Sequence, residues 1–245
     1  MDKPLALPRD GCLVFLSRLD AGAMDPSLVE RLVSSAVSPE RRSRTERLRR
    51  TDDRARSAYA ELLLNHALRR ALRLDKPALG RTELGAPFVA NAPGAHVSLS
   101  HSGSMVACVL SSLPVGLDVQ EDTLPDLAEL IPGACSPAEA ARLASLDPPE
   151  RLDLFLKIWT GKESAAKCLG VGLGLDFTAM ELEFGHTGLT ATARENAALT
   201  PRTLYLDFLE PGSGYTACVA RAEPARPPEL RSVAWRDLIP PELGD

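Results

Sequence analysis

Phe155 to Gly170 reads F-L-K-I-W-T-G-K-E-S-A-A-K-C-L-G. Asp147-Pro148-Pro149 precedes it, and Gly170, Gly172 and Gly174 follow, punctuation that marks one helix of roughly five turns. On a helical wheel Leu152, Phe155, Leu156 and Trp159 share one apolar arc, which predicts the face turned to a core. Continued by one turn, that arc carries Glu163, then Ala166 and Gly170, with Lys167 at its edge. A carboxylate buried alone costs several kcal/mol, so Glu163 needs a cation, hydrogen bonds or a proton. The plain alternative is an i,i+4 Glu163–Lys167 pair on a solvated face. The position on the apolar arc favours a functional role.

The 245 residues suffice for one large domain or two small ones. No apolar run reaches the ~20 residues of a membrane span, and Met1 to Asp10 has no signal-peptide pattern. Five cysteines, at 12, 108, 135, 168 and 218, are odd in number and form no C-x-x-C. Zinc and a disulfide framework are therefore not expected, and the reading is a reducing, cytoplasmic protein. The net charge of −5 is uneven: residues 41–56 hold eight arginines against Glu46, Asp52 and Asp53, a local +5, so the rest carries −10. A basic patch on an acidic chain points to a defined anionic ligand rather than a nucleic-acid track. A merely solvated arginine-rich helix start is the alternative.

Gly11 to Arg18 reads as a buried strand, Pro26 to Val37 as an amphipathic helix, and Ser38-Pro39-Glu40-Arg41 opens an arginine-rich helical segment. Thr51-Asp52-Asp53 reads as the cap of a long helix running to about Leu74. His66 within it reads as a core or boundary histidine. His96 to His101 alternates as a half-buried strand, Ser102-Gly103-Ser104 turns the chain, and Met105 to Ser111 returns. In Val115-Gly116-Leu117-Asp118-Val119-Gln120, Leu117 and Val119 face one side, Asp118 and Gln120 the other. Ser136-Pro137-Ala138-Glu139 is a capping box. Met105-Val106-Ala107-Cys108-Val109 resembles Tyr215-Thr216-Ala217-Cys218-Val219, which suggests two similar α+β halves with antiparallel sheets, one long helix each, and a pseudo-two-fold relation. The expected boundary divides residues 1–121 from 122–245, with a proline-rich tail from Ala222 on the surface.

Asp118 and Glu163, converging in a half-buried site, repel unless a cation joins them. With oxygen donors only, Mg²⁺ is the expected ion, because it binds one or two carboxylates together with phosphate oxygens. The arginines and Ser100-His101 are candidates for further phosphate oxygens. No Gly-rich P-loop is present.

Gly116-Leu117-Asp118-Val119-Gln120, followed some forty residues later by Trp159-Thr160-Gly161-Lys162-Glu163-Ser164-Ala165-Ala166-Lys167, resembles the paired signature of the phosphopantetheinyl transferases. The resemblance extends to Ser38-Pro39-Glu40-Arg41, Arg81 with Gly85 and Pro87, Leu99 to Gly103, and Gly170-Val171-Gly172-Leu173. The length matches the two-repeat, surfactin-synthetase-activating type, which implies a monomer built as a pseudo-dimer. The resemblance implies transfer of 4′-phosphopantetheine from coenzyme A to a serine of an acyl or peptidyl carrier protein, releasing adenosine 3′,5′-bisphosphate. It implies Asp118, Gln120 and Glu163 as Mg²⁺ ligands. Arg47, Arg81, Ser100, His101, Lys162 and Lys167 map onto coenzyme A contacts, with the 3′-phosphate near Ser100 and His101. Lys167 would touch the pyrophosphate or protonate the leaving group, and Glu163 or a water on the metal would take the serine proton.

Three positions depart from the family pattern: Gln120 where Glu is frequent, Ala86 where the usual motif has Lys, and Ser98 where Asn is frequent. Gln120 and Ala86 give the main rival reading, a non-catalytic relative that binds coenzyme A or a carrier protein. A nucleic-acid binder would need basic residues beyond 41–56 and aromatic platforms, and aromatics are only 4%.

Overall fold

The structure, a computed structural model, describes residues 7–123, 126–171, 175–185, 190–195 and 202–243. Gly172, Leu173 and Gly174, part of the expected helix punctuation and family motif, lie outside them.

The elements in order are β1 (Cys12–Arg18), α1 (Pro26–Ser35), α2 (Pro39–Thr45), α3 (Thr51–Leu72), β2 (Leu79–Arg81), β3 (Pro87–Val89), β4 (His96–Ser102), β5 (Met105–Ser111) and β6 (Val115–Glu121). There follow α4 (Leu127–Ala134), α5 (Pro137–Ala144), α6 (Pro148–Leu169), β7 (Met180–Phe184), β8 (Thr190–Glu195), β9 (Arg202–Leu209), β10 (Tyr215–Arg221) and β11 (Glu229–Ser232). The fold is α+β. One sheet has the order β11-β1-β5-β4, the other β6-β10-β9-β8-β7, and β2-β3 is a small hairpin. Every pairing is antiparallel except β1 with β11.

Alternation along the strands stacks the molecule into four layers. Leu13, Phe15, Val106, Cys108 and Leu110 turn toward α1 and α3. Val14, Leu16, Ala107 and Val109 meet Leu117, Val119, Ala217 and Val219 of the other sheet in a shared core. The far face of that second sheet packs on Ala165 of α6 through Leu182, Leu206, Cys218 and Ala220. The two similar pentapeptides thus lie on β5 and β10, the buried strands beneath the two long helices.

The expected division at residue 121 does not follow the sheets. β6 lies before it in sequence, yet it is the edge strand of the second sheet, paired with β10. β11 comes from the proline-rich tail, yet it pairs with β1 in the first sheet. Most of the described tail lies at the surface, anchored by β11 and by Trp235 and Leu238, which are buried in the first core. At Gly116 the strand β6 meets α6 at close range. A Cβ there would stand 1.9 Å from the Ser164 carbonyl oxygen and 2.5 Å from the Cys168 nitrogen, so only glycine lets α6 lie directly on the strand.

Helix α6 keeps to its sequence punctuation, Pro148 to Leu169 with Asp147 at the N-cap and Gly170 at φ 69° as the stop, and is about one turn longer than the five expected. Its burial is not confined to the Phe155–Trp159 arc. Thr160, Lys162 and Ser164 are buried as well, because α6 is gripped by β6 and β10 on one side and by α4 and α5 on another. The cap of α3 also differs: Arg50 occupies the N-cap without a side-chain hydrogen bond, and Thr51 is already helical.

Candidate active site

A cleft of about 380 Å³ opens between the sheets, lined by Arg41, Arg44, Arg81, Ala86, Ser98, Ser100, His101, Asp118, Lys167 and Gly170. Five separate elements converge there: α2, the β2–β3 hairpin, β4, β6 and α6.

At its floor, Lys167 Nζ lies 2.6 Å from Asp118 Oδ1 and 3.2 Å from Ser100 Oγ. Ser100 donates to the same Asp118 oxygen at 2.7 Å. Asp118 is 6% exposed, so these two contacts offset much of its desolvation. Glu163, one turn before Lys167, is half-buried with no hydrogen bond or ion pair among the described residues. Burial raises its carboxyl pKa, the nearby Asp118 charge raises it further, and Lys167 opposes both. A carboxylate pair of this kind with an open oxygen each suits a divalent cation. Among the described residues no three His, Cys, Asp or Glu side chains converge. The third expected ligand is an amide, Gln120, whose Nε2 donates to the Glu121 carbonyl at 3.3 Å and whose Oε1 accepts no hydrogen bond among the described residues. Glu121 is turned away: its Oε1 accepts from Tyr215 Oη at 3.2 Å and its Oε2 from Thr123 Oγ1 at 3.1 Å.

The cleft wall is cationic. Arg41 and Arg44 stand three residues apart on α2, so both face the same way. Arg41 is fixed by Glu61 at 3.2 Å, and Glu61 also accepts from the Ser38 backbone and hydroxyl. Arg81 is held by Glu40 at 3.1 Å and by the Gly85 carbonyl at 2.5 Å. Burial, then Arg44 and Arg41, lower its pKa, which shows how much like charge the wall holds. His101 lines the same cleft. Desolvation first, then Arg56 and Lys167, push its pKa below the usual imidazole value, so it is neutral at pH 7. An anion would be met here by guanidinium forks and by a histidine able to gain a proton.

The structure brings Asp118, Lys167, Ser100, His101 and Arg81 into one cleft, with Glu163 beside Asp118. It does not bring Arg47 or Lys162 there. Arg47 lies beyond the end of α2, exposed; α2 stops at Thr45, whose buried hydroxyl is 2.6 Å from Ser57 Oγ. Arg41 and Arg44 line the cleft instead, because they lie on α2 while Arg47 follows its end at Thr45. Lys162 is 0% exposed. Its ammonium reaches Glu139 Oε2 at 2.5 Å, Phe177 O at 2.8 Å and Ala134 O at 3.0 Å. All three protons are used inside the protein, so Lys162 ties α4, α5 and the β7 entry to α6 instead of touching a ligand. Ser100 lines the cleft as expected, and its single hydrogen goes to Asp118. Ala86 lines the cleft with a methyl group where a lysine would add charge.

The profile of the 4'-phosphopantetheinyl transferase superfamily matches residues 114–220, which span β6 to β10 and include Asp118, Glu163 and Lys167. The 4'-phosphopantetheinyl transferase Sfp of Bacillus subtilis (strain 168) is 29% identical over 207 residues, covering 84% of this chain and 91% of that protein. Another Bacillus subtilis 4'-phosphopantetheinyl transferase is 30% identical over 178 residues, 71% of this chain and 76% of that one. The L-aminoadipate-semialdehyde dehydrogenase-phosphopantetheinyl transferase of Xenopus laevis is 29% identical over 187 residues, 66% and 59%.

Proposed function

The chain belongs to the 4'-phosphopantetheinyl transferase superfamily; on that premise we propose that its cleft binds coenzyme A with Mg²⁺ and passes 4′-phosphopantetheine to a serine of an acyl or peptidyl carrier protein. The observation that carries the reading is the pairing of Asp118 and Glu163 next to Lys167 at the end of an arginine-walled cleft. It is an enzyme of the transferase class. The serine oxygen forms a bond to the phosphorus that carries pantetheine. The anhydride bond to the adenosine phosphate breaks, and adenosine 3′,5′-bisphosphate leaves.

Asp118 and Glu163, with Gln120 beside them, are the residues that would hold Mg²⁺. When bound, the ion neutralises charge on the pyrophosphate and orients it. Arg41, Arg44 and Arg81 bind the phosphates of coenzyme A, and His101 takes up a proton as an anion settles beside it. Lys167 meets the charge that develops on the bridging oxygen, and its ammonium can hand that oxygen a proton. Glu163 accepts the proton of the attacking hydroxyl. Arg47 and Lys162 take no part in binding.

The five cysteines are free, which supports a reducing cytoplasmic setting. No helix among the described residues is long and apolar enough to cross a membrane. Both walls of the cleft come from one chain, which supports a monomer. The uneven charge and the arginines gathered on one cleft wall favour a small anionic ligand over nucleic acid.

The test is transfer to an apo carrier protein by Asp118→Ala and Glu163→Ala. Each should lose at least about 10²-fold in rate while keeping the wild-type circular dichroism. Wild-type turnover in either variant with Mg²⁺ present would remove that residue from the site.

A further inference from the structure

The edge of β6 that faces the first sheet is not paired strand to strand. Its alternate amides, Leu117, Val119 and Glu121, donate instead to the hydroxyls of Ser98, Ser100 and Ser102 at 3.1, 3.2 and 3.0 Å. Three serines, every second residue on β4, thus fasten β4 to β6 with side chains in place of a backbone ladder. They satisfy edge amides that burial would otherwise leave unpaired.

The middle serine differs from its two neighbours. Ser100 accepts from Val119 N–H and from Lys167 Nζ, and donates to Asp118 Oδ1. One donor and two acceptor positions are all a hydroxyl has, so Ser100 is saturated within the protein and is 7% exposed. Asp118 Oδ1 is likewise occupied, by Ser100 and Lys167. Asp118 Oδ2 has no partner among the described residues. It is the oxygen left for a ligand on a residue that lines the cleft.

We propose that Ser100 is a positioning residue: its hydroxyl, clamped by the Val119 amide, fixes the rotamer of Asp118 so that Oδ2 points into the cation site. The inference rests on the reading of Asp118 as a metal ligand. It assigns Ser100 to the aspartate and not to a phosphate of coenzyme A. Ser98 and Ser102 make the same clip to β6 with no hydrogen bond to Asp118, which supplies the comparison. Loss of a hydrogen-bond partner behind a metal ligand typically weakens metal affinity by about 10–100-fold, whereas loss of a clip alone affects stability.

The experiment measures Mn²⁺ binding directly, by electron paramagnetic resonance of the free ion, in wild type and in Ser100→Ala, Ser100→Thr, Ser102→Ala and Asp118→Ala. Urea unfolding of each accompanies it. Ser100→Ala should weaken Mn²⁺ binding roughly tenfold or more, Ser100→Thr should restore it, and Ser102→Ala should lower stability while leaving Mn²⁺ binding at the wild-type level. Coenzyme A affinity in the presence of a chelator should not change in Ser100→Ala. If Asp118→Ala weakens Mn²⁺ binding while Ser100→Ala leaves it unchanged, the positioning role is overturned and the metal site stands. If Ser100→Ala and Ser102→Ala weaken it equally, Ser100 is a clip only. A loss of coenzyme A affinity in chelator would return Ser100 to direct phosphate contact. If Asp118→Ala itself leaves Mn²⁺ binding intact, the metal reading falls and this inference with it.

Discussion

Lys162 and Lys167, separated by little more than one turn of α6, point to opposite fates: Lys162 Nζ lies 2.5 Å from Glu139 Oε2 in a site with no solvent, while Lys167 Nζ lies 2.6 Å from Asp118 Oδ1 at the cleft. Glu139 also accepts from Ser136 N–H at 2.8 Å and Leu182 N–H at 3.0 Å. Removing Lys162 would strand a buried carboxylate. Lys162→Met should therefore cost about 3–5 kcal/mol of stability, read by urea unfolding, and what remains folded should keep its coenzyme A affinity. Lys167→Met should lose at least about 10²-fold in rate and cost less stability than Lys162→Met, because Lys167 is partly exposed and Asp118 keeps its hydrogen bond from Ser100. Equal stabilities for the two variants would contradict this division.

The amide at Gln120 has a measurable consequence. Glu121 is engaged by Tyr215 and Thr123, so it does not supply the missing charge. Gln120→Glu adds a carboxylate to the face of β6 that carries Asp118. The Mg²⁺ concentration for half-maximal transfer should fall roughly tenfold, since ligand charge sets affinity for a hard cation. An unchanged Mg²⁺ dependence would mean that Gln120 does not face the ion.

His101 gives a pH signature. In the free protein its pKa is lowered, by desolvation first and then by Arg56 and Lys167. A bound phosphate favours the imidazolium and raises the pKa again. Between the two values, binding takes up a proton, so coenzyme A affinity falls as pH rises through the pKa of the bound state. Calorimetry near pH 6.5 in two buffers of different ionisation enthalpy should detect that uptake, and His101→Gln should abolish it. Identical heats in both buffers for wild type would separate His101 from the anion.

Much of this site was legible in the sequence because it depends on local periodicity. The Leu117/Val119 and Asp118/Gln120 faces of β6 follow from alternation, and Glu163 with Lys167 follows from helical spacing. What stayed hidden depends on packing between distant segments. Ser136 to Glu139 reads as a capping box, and it is one, but nothing local shows that Glu139 also neutralises Lys162, 23 residues on. The eight arginines of 41–56 are equivalent in composition; only the end of α2 at Thr45 separates Arg41 and Arg44 from Arg47. The sheet to which β6 belongs was equally unreadable, since it follows from the approach of α6 at Gly116 and from three serine hydroxyls on β4.

The most direct measurement is the intact mass of several apo carrier proteins incubated with this protein, coenzyme A and Mg²⁺. At least one should gain the mass of a single phosphopantetheine on its acceptor serine, with adenosine 3′,5′-bisphosphate appearing in equal amount. Chelator, or Asp118→Ala, should stop the conversion. Unmodified masses throughout, with coenzyme A bound in the cleft, would contradict the transferase account and leave a non-catalytic coenzyme A binder in its place.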